Sequence, residues 1–316
     1  MTSARVLARS GGRRTRLARL SDILPPQWQR SDAFISLLLM APAFLFIAVM
    51  LFASVSTLVL VSFRELTDPG MPVVYTLNNY LALFAPEGDI YRALLLRSLW
   101  IPLLTTVAVI LVAYPFAYVL AFHVHRYKAV WLILVTIPFW ISYFLRVASW
   151  KVILGENGVV NSFLAWLGVI DHPLEFLLYN RGAVIIVLTH SWLVFAILPI
   201  YVSLEKIDRS FLEAAKDLGD DAIQVFLRVT LPLSLPGVFS SAILIFVRAA
   251  GDYVTPSLFG GISGTMIGNL IVSLFTAEDN APMAAAVSVF LMLALVIVVC
   301  AVALLYWLWK KWRASL

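Results

Sequence analysis

The chain has 316 residues, 62% of them hydrophobic and 13% charged. A soluble domain is ordinarily about 45–50% apolar and about 25% charged, and it has no interior large enough to hide this much apolar surface, so most of the chain belongs in a membrane. The net charge of +5 would speak for nucleic acid only if the basic residues shared one face. They follow the edges of the apolar runs instead, and the single cysteine, Cys300, excludes a disulfide framework or a cysteine metal site and reads as a small packing residue.

Residues 1–32 are polar and carry Arg5, Arg9, Arg13, Arg14, Arg16, Arg19 and Arg30. They read as a disordered cytoplasmic tail drawn to anionic headgroups, at about 1 kcal/mol per basic residue. Arg13-Arg14 does not read as an export signal, because the apolar run starts only after Asp32 and no small-residue cleavage site follows.

Residues 33–316 read as a transmembrane domain. Residues 33–63 carry no charge and exceed the length a hydrocarbon core of roughly 30 Å requires. Residues 64–97 are mixed, with a short surface helix expected over residues 75–84. Residues 98–122 are the second expected span, with Pro102 and Pro115 inside. Membrane helices tolerate proline because neighbouring groups satisfy the freed carbonyl. His123, His125, Arg126 and Lys128 follow; two histidines without a third ligand read as a solvated basic connection.

Residues 129–145 are the third expected span, with Arg146 at its outer end among aromatics. Within the loop 151–182, residues 156–169 place Val160, Phe163, Leu164 and Leu167 at helical spacing, predicting a short interfacial helix. Residues 183–204 are the fourth span; His190 within it reads as a hydrogen-bonded contact between helices. After the polar loop, apolar sequence resumes near Leu235 and runs to Val247. Residues 281–309 are the last span, followed by Lys310, Lys311 and Arg313. Residues 253–277 are uncharged, but Pro256, Gly260, Gly261, Gly264 and Gly268 argue for a broken, partly re-entrant connection.

Charge asymmetry fixes the count and the orientation. With six main spans and both termini cytoplasmic, the inner segments hold seven Lys and Arg in the tail, two after the second span, four in the central loop and three at the end. The outer loops hold five: Arg64, Arg92, Arg97, Lys151 and Arg181; Arg146 and Arg248 lie in or near the membrane. A seventh span would put the basic end outside. The fold class is therefore all-α integral membrane, with residues 205–237 as a cytoplasmic loop.

In that loop Ser210-x-x-Glu213 predicts a capping box for a helix over residues 213–218. Gly219 supplies a tight turn, and Asp220 or Asp221 caps a second helix over residues 222–229. Leu231-Pro232 and Pro236 are expected to end it and turn the chain into the membrane. On local rules alone the loop is a helical hairpin in which Glu213 is only a cap.

The same residues carry a resemblance. Glu213-Ala214-Ala215, three residues, Gly219, nine residues and then Val229-x-Leu231-Pro232 is similar to the EAA signature of ABC-importer permease subunits, with Val229 where that family usually has Ile. The resemblance covers about residues 97–305 and implies a MetI-like permease core. In it Glu213, Ala214, Ala215, Gly219, Leu231 and Pro232 belong to a coupling helix that docks on a separate ATPase subunit. It implies as partners a second permease subunit, two ATPase subunits, an external substrate-binding protein and membrane lipid, without nucleic acid. The chain has no G-x-x-x-x-G-K-[ST] loop, so it is read as a transport subunit without its own ATPase site or cofactor, ATP and magnesium being held by the partner. Within the family, RSLWIPLLTT, YPFAYVLAF, PFWISYFLRVASW and GDYVTPSLFGG followed by MIGN resemble the spermidine/putrescine permeases of the inner membrane.

The intramembrane charges are the candidates for a translocation path. Arg248 and Asp252 are four apart and would share a helix face. Asp252 then either contacts a passing amine, with Arg248 as its resting partner, or the two form an ion pair closing a broken helix. Arg146 either snorkels to the outer interface or lines the path. Trp140, Tyr143 and Tyr253 belong either to cation–π contacts with amines or to an interfacial aromatic belt. Two arginines would suit an anion such as sulfate, or the cargo could be ferric iron; an acid and aromatics favour a cation. A proton-coupled secondary transporter would more often show an internal repeat with paired broken helices, and none is evident.

Overall fold

The computed structural model describes residues 32–67, 71–174 and 177–314. The expected arginine-rich tail, up to residue 31, lies outside them. The chain divides into two units, Met1–Leu60 and Val61–Leu316. In the first, the described residues form α1, Asp32–Ser62, which ends just inside the second unit. Its stretch Leu39–Ser62 is long and apolar enough to cross a bilayer. The hydroxyls of Ser54 and Thr57 fold back on the carbonyls of Met50 and Ala53, each at 2.8 Å, so neither polar group goes unpaired in an apolar helix.

The second unit runs α2 Asn78–Phe84, α3 Asp89–Phe122, α4 Lys128–Thr136, α5 Tyr143–Leu154, α6 Val159–Trp166, α7 Arg181–Glu205, α8 Arg209–Asp217 and α9 Ala222–Val225. It continues through α10 Leu231–Ala250, α11 Val254–Phe259, α12 Gly261–Gly264, α13 Ile267–Thr276 and α14 Ala281–Ala314. Short 3-10 turns lie at Pro86–Gly88 and Ile137–Trp140, and one π-helical turn at Phe226–Thr230.

Five helices among the described residues are long and apolar enough to span: Leu39–Ser62, Asp89–Phe122, Arg181–Glu205, Ala222–Ala250 and Ala281–Leu308. The sixth exists only if Lys128–Trp140 and Tyr143–Trp166 count as one, and these are bent by 88°. The continuous third span expected over residues 129–145 is therefore corrected. Pro138 opens the 3-10 turn, and Ile141 and Ser142 are extended (ψ 143° and 135°) before α5 begins. Proline removes a helix donor and disfavours helix in the residue before it, while an uncharged composition reports the solvent and not the direction of the chain.

The centre is α7, buried through Val184, Val187, Leu188, Ile197, Ile200 and Leu204. Against it α3 sets Val109, Ala113, Ala117 and Ala121, and α10 sets Ile245 and Ala249. Lipid is as apolar as these side chains, so close packing rather than escape from water holds membrane helices together, and alanine lets their backbones approach. The tightest approach is at Gly237 of α10, where an added Cβ would lie 2.5 Å from the Ser203 Cβ and 2.7 Å from the Pro199 carbonyl oxygen of α7. A second cluster joins Leu83, Leu94, Ile267, Leu274, Met283 and Leu291 from α2, α3, α13 and α14.

The glycine-rich stretch is broken, as its composition predicts, into α11, α12 and α13. Its backbone is held from outside: Arg97 Nη1 donates to the Ile262 carbonyl at 2.9 Å, and Arg181 Nε to the Ser263 carbonyl at 2.8 Å. The Ile267 N–H donates to the Ser98 hydroxyl at 2.7 Å. Non-helical backbone at this depth survives only with such partners.

Gly237→Val tests the helix crossing. Overpacking of this kind costs about 1–3 kcal/mol. The purified variant is expected to melt several degrees below the parent in the same detergent, whereas Ser240→Val, at an exposed position one turn on, is expected to leave the melting point unmoved.

Candidate functional site

Two places carry polar chemistry. The first is the loop after α7. Here α8 begins at Arg209, and its cap is Asp208, whose side chain accepts from the Ser210 N–H at 3.0 Å. That backbone donor holds the Asp208 carboxylate below its ordinary pKa. The expected Ser210–Glu213 capping box is thus corrected: an ionised carboxylate two residues earlier is the stronger acceptor and starts the helix sooner. Glu213 and Ala214 are exposed and Ala215 is buried.

Gly219 ends α8 with φ +92°, and nothing lies within 4 Å of where its Cβ would stand, so the backbone conformation and not crowding selects glycine. Asp221 caps α9 reciprocally: Gln224 N–H donates to Asp221 at 2.7 Å, and Asp221 N–H to the Gln224 side chain at 3.1 Å. Arg228 pairs with Asp220 at 2.5 Å. Leu231-Pro232 and Pro236 do not end this segment, contrary to expectation: Ala222–Ala250 is one spanning helix. The π turn Phe226–Thr230 widens the coil just ahead of Pro232, where a regular turn would bring the ring against the carbonyl four residues back. Phe226 packs edge-on against Tyr114 and Tyr118 of α3, with centroids at 5.8 and 6.0 Å. Between α8, α9 and the end of α3 lies a cavity of about 390 Å³ lined by Tyr118, Phe122, Arg209, Glu213, Lys216 and Thr230.

The second place is where α5, α7 and the end of α10 meet. α10 ends at Ala250, so Asp252 lies beyond the helix and the i,i+4 face assumed for Arg248 and Asp252 does not form. They make no ion pair. Asp252 is 6% exposed and fully engaged. One carboxylate oxygen accepts the Val254 and Thr255 N–H groups at 2.8 and 3.3 Å. The other accepts the Thr255 hydroxyl at 2.8 Å and the Tyr143 hydroxyl.

Arg248 lies instead over the rings of Phe195, at 4.4 Å, and Trp192, at 5.4 Å. Arg146 lies over Phe139, at 4.4 Å, and Tyr143, at 5.7 Å, and donates to the Pro138 carbonyl at 3.3 Å. The rings join one another: Tyr143 stacks on Trp192 at 5.2 Å, Trp192 meets Phe195 at 5.7 Å, and Phe139 meets Phe195 edge-on at 6.1 Å. One run of four rings thus carries both guanidiniums, Arg146 on its terminal rings and Arg248 on its two middle ones. Tyr143, Arg146 and Arg248 come together on one set of rings, and Asp252 joins them through Tyr143. Trp140 is 89% exposed and makes no ring contact among the described residues. Tyr253 contributes only its backbone carbonyl, which accepts from Asn269 Nδ2 at 2.8 Å.

Trp192, Phe195 and Thr255 were not foreseen; the first two are three apart on α7, a spacing that marks one face. His190 does accept from the Trp150 indole N–H, at 3.1 Å. The described residues contain no group of three or more possible metal ligands.

Residues 29–314 match the family described as binding-protein-dependent transport system inner membrane component. The chain is 38% identical over 235 residues to the spermidine/putrescine transport system permease protein PotB of Escherichia coli, covering 74% of this chain and 82% of that one. It is 34% identical over 274 residues to the inner membrane ABC transporter permease protein YdcU of Escherichia coli, covering 82% and 85%. Among solved structures it resembles a bacterial ABC transporter involved in the import of the acidic polysaccharide alginate, with TM-score 0.64 over 86% of this chain and 94% of that one. At 17% identity that likeness concerns the fold.

Asp252 can be separated from its neighbours by two substitutions. Asp252→Asn keeps an acceptor for the two N–H groups, while Asp252→Ala leaves both unpaired and leaves the Tyr143 and Thr255 hydroxyls, 2.8 Å apart, only each other, a loss of about 1–3 kcal/mol for a buried group. Thermal unfolding of the purified protein is expected to fall in the order parent, Asn, Ala. Equal stability of all three would mean that the carboxylate is not a structural joint.

Proposed function

The chain belongs to the family of binding-protein-dependent transport system inner membrane components, and from that premise we propose that it is the permease subunit of an ATP-driven importer of polyamines, spermidine and putrescine among them. The observation that carries the cargo is 38% identity across most of a spermidine/putrescine permease. The chain pairs with a second permease subunit, two ATPase subunits that bind ATP and magnesium, and an external substrate-binding protein. Both termini are cytoplasmic, in keeping with the concentration of Lys and Arg on that side.

In this reading Glu213, Ala214, Ala215, Gly219, Leu231 and Pro232 belong to the contact with the ATPase. The loop's own surface supports that. Phe211, Leu218, Ile223 and Leu227, on α8, α9 and the turns beside them, are 52–88% exposed, apolar side chains left for a partner to cover. Closure of the ATPase pair moves this loop. The movement passes through the Phe226 contacts into α10 and so to the outer cluster, and cargo crosses between the two permeases by alternating access. Arg146, Tyr143 and Arg248 stand on that path; Asp252 acts by holding Tyr143 in place.

Gly219→Val forces a branched side chain onto a left-handed backbone, at a strain on the order of 1–3 kcal/mol. ATP-driven uptake is expected to fall about tenfold or more, the size of a typical coupling free energy, with the chain still in the membrane and bound to its partners. Normal uptake would remove Gly219 from the coupling path.

Reconstitution identifies the cargo. With the partners and the binding protein present, ATP hydrolysis is expected to rise with spermidine or putrescine and not with sulfate or ferric iron, and the purified chain alone is expected to hydrolyse nothing. Arg146 and Arg248 favour one rival, an anionic cargo, and stimulation by sulfate in place of the amines would establish it.

A further inference from the structure

Arg146 and Arg248 are cations without an anion. The Arg248 side chain is exposed and has neither an ion pair nor a hydrogen bond among the described residues; only the faces of Phe195 and Trp192 meet it. Arg146 has one backbone acceptor, and its Nε is buried with no partner. The Trp192 indole N–H is likewise buried without a partner, in a residue only 9% exposed. All three groups sit on one set of rings, and all three only donate. Contact with an aromatic face returns less than the transfer of a guanidinium out of water costs, so such arginines face a water-filled cavity or an acid.

Among the described residues no acid pairs with either arginine. Asp252, the carboxylate nearest the cluster, already accepts four hydrogen bonds, which fills its lone pairs. A cationic cargo sharpens the problem, because an amine moving past two bare guanidiniums meets like charge on both sides. Carboxylates added from outside the chain relieve that repulsion if they exchange between arginine and amine.

We propose that Arg146 and Arg248 form a receptor for carboxylate side chains of the second permease subunit, which rest on the arginines and pass to the cargo amines in transit. The proposal rests on the reading of this chain as one of a permease pair carrying a cation. Charge complementarity selects the occupant: two guanidiniums without an acid share one set of rings, and arginine binds a carboxylate in a fork.

A zero-length coupling reaction tests it in the assembled transporter. Arg248→Lys and, separately, Arg146→Lys keep the cation and supply a primary amine. A membrane-permeant carbodiimide then joins that amine to a touching carboxylate as an amide, the water lost being taken up by the reagent as a urea. Each lysine variant is expected to give a covalent product with the second permease subunit that is absent from Arg248→Met and Arg146→Met. Mass spectrometry is expected to place the amide at position 248 or 146 and on an Asp or Glu of the partner. The two positions are independent, so failure of one variant to assemble leaves the other. Yields no higher than in the methionine variants overturn the proposal, and so does an amide to an acid of this same chain. Absence of any second permease subunit from the purified complex would count against the pairing itself, and the parent protein reveals that without a substitution.

Discussion

The turn between α10 and α11, and the ring stack beside it, depend on one buried carboxylate. α10 stops at Ala250, and the chain must turn and start α11 at Val254 inside an apolar surrounding where free backbone donors are costly. Asp252 takes two of those donors on one oxygen and the Thr255 and Tyr143 hydroxyls on the other. A charge is tolerated in such a place when every lone pair is used, and here every one is. The same bonds fix Tyr143 of α5, whose ring stacks on Trp192 of α7. The positions of the two arginines follow, since each rests on a ring of that stack. Asp252, which sequence offered as a contact for a passing amine or as half of an ion pair, forms a joint that aims the residues around it.

The loop after α7 and this joint lie at opposite ends of one helix. From Leu231 to Arg248 α10 rises by roughly 25 Å without a break, and the π turn before it is seated on Tyr114 and Tyr118. α10 also meets α7 at Gly237 with no room for a Cβ. Two helices that close cannot slide past each other by small amounts; a push at the loop either rotates them together or repacks the crossing. α10 carries Arg248, and α7 carries Trp192 and Phe195, the rings beneath it. The two helices that meet at this crossing are therefore the ones that hold Arg248 and the rings beneath it.

The apolar runs were legible because lipid demands them: α1, α3, α7 and α14 lie where charge-free sequence placed them. The break over residues 253–277 was legible too, because proline and glycine at that density leave no continuous helix. Direction was not legible. Residues 129–145 are as apolar as a span and yet turn through 88°, a matter of Pro138 and two extended residues that composition does not register. Spacing misled at Arg248 and Asp252, because i,i+4 places two residues on one face only if the helix lasts that long, and this one ends between them. Capping misled at Ser210, where the Ser-x-x-Glu pattern was present but Asp208 competed for the same N–H group and won.

The stretch most suggestive of cargo turns out to be architecture. In GDYVTPSLFGG and MIGN, Asp252 and Thr255 form the joint, and Asn269 ties the two pieces together: its side chain accepts from the Met266 N–H at 3.2 Å and donates to the Tyr253 carbonyl. A relative that shares these residues shares the way the re-entrant segment is closed, and nothing in that closure touches a path. Likeness confined to them would say little about what is carried. The case for polyamines draws its strength from identity spread over 235 residues. The residues that discriminate cargo are then to be sought where the joint points, on the ring stack and its arginines.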